Sequence, residues 1–261
     1  MESDVLATSD EIRVYWQPGC TSCLRTKEFL TKRGVPFVSR NVIGDEGAFD
    51  ELARFGVRQV PVVTRGDQYV DGQVLADVAR LCGIQYGAKA ILPVQELRRR
   101  LDEIVAASGR FIVQVPETEL ATLLPNRPRS YSDLTFHIAN IPDAFLEHAA
   151  GIPLEFDAYN RVPPKGWGHE HLVAYGRNVR KRMSDWFDGE GKACNWSAAA
   201  RVYYGKQTMH EYLERTTWHA GQHTRQLQWV LGEKLGIAPD GPLPDTMWAD
   251  LPMPESVWDP A

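Results

Sequence analysis

The amino-acid sequence predicts a small α/β unit with a partly parallel sheet, followed by an all-α four-helix bundle. Three observations carry that prediction. The first eighty residues alternate short β-rich runs with amphipathic segments. The remainder has little strand signal and four long stretches of helical periodicity. Between the two, around Ile84–Lys89, a short stretch follows Gly83 and contains Gly87, which reads as a junction.

In order, Ile12–Trp16 is a strand and Cys23–Lys32 a helix stopped by Gly34. Val35–Val42 is a second strand, and Glu46–Phe55 a second helix ended by Gly56. Val60–Thr64 and Gln68–Val70 form a hairpin around Arg65-Gly66-Asp67, and Val74–Leu81 is a third helix ended by Gly83. The order β-α-β-α-β-β-α places helices on both faces of one sheet. Helical patterns then cover Ile91–Ser108, Ser132–Ala150, Glu170–Phe187 and Thr208–Leu235, separated by loops rich in Pro and Gly. Ser130 and Ser132 are suitable caps for the second of these, and an antiparallel bundle is the expected packing. The segment from Gly236 carries six prolines and no periodicity, and is expected as an extended arm on the surface. The expected domains are 1–85 and 90–255, with 256–261 as a tail.

Length and composition bound the function. The 261 residues amount to between one and two domains at about 150 residues each, and 43% hydrophobic with 24% charged residues is an ordinary globular balance. The net charge is −5, and both halves are mildly acidic, which argues against nucleic acid as a partner. No run approaches the roughly 18 apolar residues of a membrane helix. Met1–Arg13 lacks the basic start and apolar run of a signal peptide, so a cytoplasmic location is expected. Four cysteines are too few for a disulfide scaffold, and Cys20 and Cys23 alone are close in sequence.

Gln17-Pro18-Gly19-Cys20-Thr21-Ser22-Cys23 follows a strand and opens a helix. A sulfur at a helix N-terminus is stabilised as thiolate by unpaired N–H groups and by the helix dipole. Cys20 is therefore the candidate nucleophile. Cys23, one turn later on the same face, is the candidate resolving thiol. The alternatives are half a zinc site or two inert cysteines; a structural zinc site wants four ligands, and no second Cys-x-x-Cys exists. Cys82 reads as a small buried hydrophobe, and Cys194 has no evident partner.

Residues 12–83 resemble a glutaredoxin. The likeness rests on Tyr15-x4-Cys20-x2-Cys23, on the helix carrying Lys27 and Leu30, on Gly34-Val35-Pro36-Phe37, and on Gly56-Val57-Arg58-Gln59-Val60-Pro61-Val62. It implies a thioredoxin-like fold, a cis-proline at Pro61, and a thiol-binding set of Tyr15, Val60 and Pro61, the Val60 backbone pairing with a thiol peptide such as glutathione. Two features depart from the family. The central pair is Thr21-Ser22 rather than Pro-Tyr, and Val70-Asp71-Gly72-Gln73 stands where a Gly-Gly-x-Asp-Asp segment is usual. The resemblance leaves both the thioredoxin and the glutathione reductase systems as sources of electrons.

The second half holds all seven histidines, and His219 and His223 lie at i and i+4. Four residues turn a helix by about 400°, so the two rings share a face and can chelate one ion. Tyr212 and Gln226 fall on the same stripe, beside an apolar stripe of Leu213, Ala220, Leu227 and Leu231. His137 lies in an apolar run of the second helix, and Pro142, which cannot donate to the Ile138 carbonyl, is expected to bend that helix nearby. Three imidazoles from two helices would leave an open coordination position. A solvated or capped histidine pair is the alternative. His169 and His171 form a second, weaker candidate pair, and His148 and His210 are expected to be exposed.

Residues from about 90 to 255 resemble a DinB-family four-helix bundle. The matching segments are Tyr131-Ser132-Asp133-Leu134-Thr135-Phe136-His137 and the run from Glu211 through Trp218-His219-Ala220-Gly221-Gln222-His223 to Leu227. The resemblance implies a divalent metal held by His137, His219 and His223, and a sulfur-free histidine set suits zinc, nickel, iron or manganese about equally. It also implies relatives among thiol-dependent transferases and a mycothiol-dependent isomerase. Together the two resemblances imply an enzyme of thiol chemistry acting on a small thiol or disulfide. Its alternatives are a disulfide reductase whose bundle only binds clients or makes a homodimer, and a metal-dependent hydrolase or isomerase with a redox switch.

Overall fold

The computed structural model describes residues 10–87, 89–125 and 127–259. Among them, residues up to Lys89 together with those from Pro254 onward form one compact unit, and Ala90–Met253 forms the other. The second boundary falls earlier than expected, so Pro254 and Glu255 belong with the first unit rather than with the bundle.

The first unit runs β1 (Ile12–Trp16), α1 (Thr21–Lys32), β2 (Val38–Asn41), α2 (Ala48–Ala53), β3 (Val62–Arg65), β4 (Gln68–Asp71) and α3 (Leu75–Cys82). Its four-stranded sheet has the order β2-β1-β3-β4. β1 pairs parallel with β2, Arg13 opposite Val38, and antiparallel with β3, Val14 opposite Val63. Strand alternation sorts the core. Val14 and Val63 point to one face, where they meet Phe29 and Leu30 of α1 and Val78 and Ala79 of α3. Tyr15 and Val62 point to the other, where they meet Leu52 of α2.

Element ends shift for local reasons. β2 begins at Val38 because the Val35 N–H is already used by the Leu30 carbonyl at the end of α1 and Pro36 has none to give. α2 begins at Ala48 because Gly47 before it is left-handed, with φ 74°. α1 begins at Thr21 because Cys20 itself is its N-cap.

The second unit packs α4 (Val94–Ile112), α5 (Tyr131–Ala149), α6 (His169–Asp188) and α7 (Met209–Trp229), which α7 extends by a π-helical turn, Val230–Lys234. α7 lies against both α4 and α5, and α6 closes the other side against the same two helices. Leu97, Leu101 and Ile104 of α4, Leu134, Ile138, Ile141 and Phe145 of α5, Val179 and Met183 of α6, and Leu213, Ala220 and Leu227 of α7 fill the interior. Intervals of three, four and seven put them on one face of each helix.

α5 starts with a complete capping box. Ser130 Oγ accepts from the Asp133 N–H at 3.1 Å while Asp133 accepts from the Ser130 N–H at 2.9 Å. α7 repeats the device with Thr208 and Glu211, at 3.2 and 2.6 Å. α5 runs unbroken through a buried Pro142, so the expected bend does not divide the helix. Missed altogether was a two-stranded ladder, β5 (Ala199–Ala200) with β6 (Gln207–Thr208), just ahead of α7; two-residue strands carry no readable period.

The proline-rich segment after α7 is not simply an arm on the surface. Leu243, Met247 and Leu251 are buried, and Asp245–Met247 forms a 3-10 turn. Its carbonyls are met by a buried cation, since the Arg100 guanidinium donates to Met247 O at 2.9 Å and Ala249 O at 2.6 Å. Without such donors those carbonyls would be desolvated at a cost. Among the described residues no helix is long and apolar enough to cross a membrane.

Candidate functional site

Cys20 and Cys23 are joined as a disulfide, with Cα atoms 5.2 Å apart. Cys20 caps α1, and its sulfur accepts from the Cys23 N–H at 3.2 Å. An N–H at the start of a helix aimed at that sulfur favours the thiolate once the bond is reduced. Cys20 is partly exposed, whereas Cys23 is fully buried. Cys20 is therefore the more accessible of the two sulfurs.

The dithiol helix is tied to the loop bearing Pro61. The Val60–Pro61 peptide is cis. The Pro61 carbonyl accepts from the Gly72 N–H at 2.9 Å, and the Gly72 carbonyl accepts from Thr26 Oγ1 of α1 at 2.7 Å. A side chain at Gly72 would place its Cβ 2.8 Å from Pro61 Cβ. Only glycine fits there. Arg25 also reaches the Gln73 carbonyl, at 3.3 Å. Val60 and Pro61 thus sit on a turn held against α1 through one residue.

Tyr15, expected to bind a thiol, is instead a core residue. It is wholly buried, and its hydroxyl donates to Glu51 Oε2 at 3.0 Å. Glu51 also receives Arg40 Nη2 at 2.6 Å and Arg13 Nη1 at 3.1 Å. Burial pushes the Glu51 carboxyl up, but hydrogen bonds from Arg40 and Tyr15 outweigh it and leave the group below its ordinary value. Cys82 packs at the edge of the core beside Val78 and Ala79, and burial pushes its thiol up. That is the environment of an inert cysteine.

In the bundle, His137 of α5 meets His219 and His223 of α7. One ligand atom from each ring lies within 4.8 Å of the others, and all three are buried. Among the described residues, no other three His, Cys, Asp or Glu side chains gather in this way. The ring centroids are separated by 5.3, 4.8 and 5.0 Å. Burial first, then nearby positive charge, lowers all three well below the ordinary histidine value. The charges include Arg129 for His137 and His223, and Arg215 for His219. Neutral rings with lone pairs to give are what a metal needs. His223 Nδ1 pairs with Gln226 Oε1 at 2.7 Å, while the Nδ1 atoms of His137 and His219 are buried with no hydrogen-bond partner. Buried polar atoms left in this state ask for an explanation, and a divalent ion fits three neutral imidazoles from two rigid helices.

Sequence reasoning missed the surroundings of this cluster. Arg215 lies four residues before His219 on the same stripe, a spacing that was there to be read. Its guanidinium is boxed by Tyr159, Tyr204 and Trp218, with 4.2 Å to the Tyr204 ring centroid. Tyr159 stands edge-on to His219 at 5.3 Å, and burial pushes its hydroxyl up to about 12. Tyr159 comes from a 3-10 turn, Phe156–Tyr159, with no periodic signal. The other histidines lie elsewhere. His148, expected to be exposed, is buried and accepts from the Arg201 N–H at 2.9 Å. His210, expected likewise, is half-buried, with a ring nitrogen 2.8 Å from Leu92 O. His169 and His171 open α6, where His171 stacks on Trp167.

Comparison with known proteins agrees with the first unit. Residues 12–70 match the Glutaredoxin family model. The chain is 41% identical over 61 residues to an N-acetyl-S-hydroxy-L-cysteine reductase of Bacillus subtilis, a match covering 22% of this chain and 66% of that protein. It is 24% identical over 128 residues to the global transcriptional regulator Spx of the same organism, covering 46% and 92%. Among solved structures, the apo form of human glutathione-S-transferase T1-1 aligns at 15% identity with a TM-score of 0.34, over 85% of this chain and 78% of that one. The family match encloses the strand, the Cys20–Cys23 pair and the cis-Pro61 turn. The N-terminal part of this chain is therefore a glutaredoxin-family domain carrying a dithiol set for thiol–disulfide exchange.

Proposed function

We propose that the chain is a thiol-dependent enzyme that combines the Cys20–Cys23 dithiol with a divalent-metal site on His137, His219 and His223, and that a low-molecular-weight thiol such as glutathione is the reactant common to both. In the dithiol half, the Cys20 thiolate attacks a disulfide, forming a mixed disulfide and releasing one thiolate. Cys23 then attacks Cys20 Sγ, releases the second and restores the internal disulfide. The Val60–Pro61 turn is the surface on which the thiol partner lies. A thioredoxin or glutathione reductase system returns the electrons, which suits a reducing compartment such as the cytoplasm.

His137, His219 and His223 would hold a divalent ion, which would supply Lewis acidity to the site. The chain's own contribution there is to keep three imidazoles neutral, to orient His223 through Gln226, and to wall the site with Tyr159 and the boxed Arg215. The resemblance to the DinB family supports the same ligand set. The observation that carries the proposal is the meeting of three buried, neutral histidines in a chain that also bears the dithiol. Metal analysis of freshly purified protein tests it. One divalent ion per chain, lost in a His219→Ala, His223→Ala double variant that keeps its reducible dithiol, is the expected result. Protein without a stoichiometric ion, and unable to take one up, reduces the reading to a disulfide reductase of the first unit alone. The Glutaredoxin match at residues 12–70 by itself favours that second reading.

A further inference from the structure

The histidine cluster lies in a field of positive charge. Arg129 comes directly before Ser130, the cap of α5, and its backbone is pinned on both sides. Its N–H donates to Arg127 O and its carbonyl accepts from the Leu124 N–H, each at 2.8 Å. Arg129 Nη1 is buried with no hydrogen-bond partner. Burial first, then Arg127, pushes this guanidinium down to about 9, with Asp133 opposing, so it is still a cation at neutral pH. Asp133 is already engaged, its carboxylate accepting from the Ser130 N–H at 2.9 Å in the cap. An enclosed cation with an unmet donor is costly and calls for an acceptor.

The charge of Arg129 bears on the cluster. After burial it is the largest influence on His137 and on His223, and on His137 it outranks both neighbouring histidines. Arg127 acts on all three rings. Arg215, one turn before His219, is the largest charge on that ring, and its Nη1 donates to the Tyr159 hydroxyl at 3.4 Å. Three guanidiniums thus act on three neutral imidazoles. Among the described residues, no Asp or Glu joins the three histidines at ligand distance. A dication placed there meets like charges where water is excluded, and their repulsion is strong. A negative group that reaches both the ion and Arg129 removes it, and a guanidinium fork is matched to an oxyanion.

We propose that the metal site is also an anion site, in which an ion on His137, His219 and His223 and the guanidinium of Arg129 together take up one small molecule bearing an oxyanion, either a carboxylate or a tetrahedral oxyanion, with ion and anion binding cooperatively. The proposal rests on the metal reading above and gives the reactant of that site its charge. Coupling of this kind is reciprocal. Arg129 weakens the hold on a bare ion and strengthens the hold on an ion with its anion, so each favours entry of the other.

The zinc affinity of the full-length protein, measured by competition with a chromophoric chelator, tests this. Ionic strength is held constant with perchlorate, a weakly coordinating anion, so that screening does not change. Acetate and sulfate are the probes, and acetamide is the neutral control. Replacing perchlorate by acetate or sulfate should tighten zinc binding about tenfold in the wild type, and acetamide should have no effect. Arg129→Met removes the charge. It should bind zinc about tenfold more tightly than the wild type in perchlorate and lose the gain from either probe. Arg129→Lys keeps the charge and should match the wild type in perchlorate, which separates an effect of charge from a folding defect. A gain from acetate alone assigns a carboxylate, and a gain from sulfate alone a tetrahedral oxyanion. Equal zinc affinity in perchlorate, acetate and sulfate overturns the anion site, as does an undiminished gain in Arg129→Met or weaker zinc binding by Arg129→Met than by Arg129→Lys. Wild-type protein that takes up no zinc under any of these conditions overturns instead the metal reading beneath it.

Discussion

His223 and Gln226 are joined through Nδ1 and Oε1 at 2.7 Å, one turn apart on α7. The amide oxygen can only accept, so the ring must carry its hydrogen on Nδ1 and present Nε2 as the lone pair. Gln226 thereby fixes the tautomer and rotation of one of the three proposed ligands. Gln226→Leu should weaken metal binding about 10–100-fold, the usual cost of losing such a partner. The check is competition with a chelator of known affinity; unchanged affinity would remove Gln226 from the site.

Loss of metal should leave the bundle folded. Its core is continuous across four helices, and an ion contributes only through linkage, about 2.7 kcal/mol at a hundredfold excess over Kd. Thermal unfolding with and without chelator should therefore show a lowered midpoint and an intact transition. Complete unfolding on chelation would make the site structural.

For the dithiol, Cys23→Ser should trap mixed disulfides at Cys20, while Cys20→Ser should abolish exchange. In the reduced wild type, alkylation at mildly acidic pH should mark Cys20 ahead of Cys23 and Cys82, because only Cys20 combines exposure with a helix N-terminus. Peptide mapping after brief labelling decides the order.

Gly72→Ala forces a methyl against Pro61. Overpacking of this kind costs about 1–3 kcal/mol. Since Gly72 links the Pro61 turn to Thr26 of α1, exchange should slow along with the loss of stability. Denaturant midpoints and exchange rates of the same variant test the two together.

Glu51 gives a pH dependence with a definite sign. Its carboxyl is held below the ordinary value in the folded chain, so its stabilisation is complete above the unfolded value, about 4.3, and is lost as pH falls through the lower folded one. Glu51→Gln should cost about 1–2 kcal/mol at neutral pH, and the difference from wild type should shrink under acid. A difference that grows below pH 4 would contradict the assignment.

Much of this was legible in the sequence because it is periodic or local. Strand alternation at Val14-Tyr15 and the four-residue interval from His219 to His223 are read directly, as is a thiol pair between a strand and a helix. What escaped is long-range. Tyr15 lies on β1, five residues before Cys20, and looked available, yet its partner Glu51 lies 36 residues on. Asp259 Oδ2 accepts from the Gly19 N–H across 240 residues, and no local pattern announces such a return. Tyr159 and Arg201 act from turns, where sequence carries no period.

The two capping boxes have a consequence for the histidines. α5 and α7 supply the whole cluster, and both carry the reciprocal box at their first turn. A helix that started one residue early or late would rotate every later side chain by about 100°. Ser130 with Asp133, and Thr208 with Glu211, thus act as angular stops: by pinning where each winding begins, they aim His137, His219 and His223 at a common point two or more turns away.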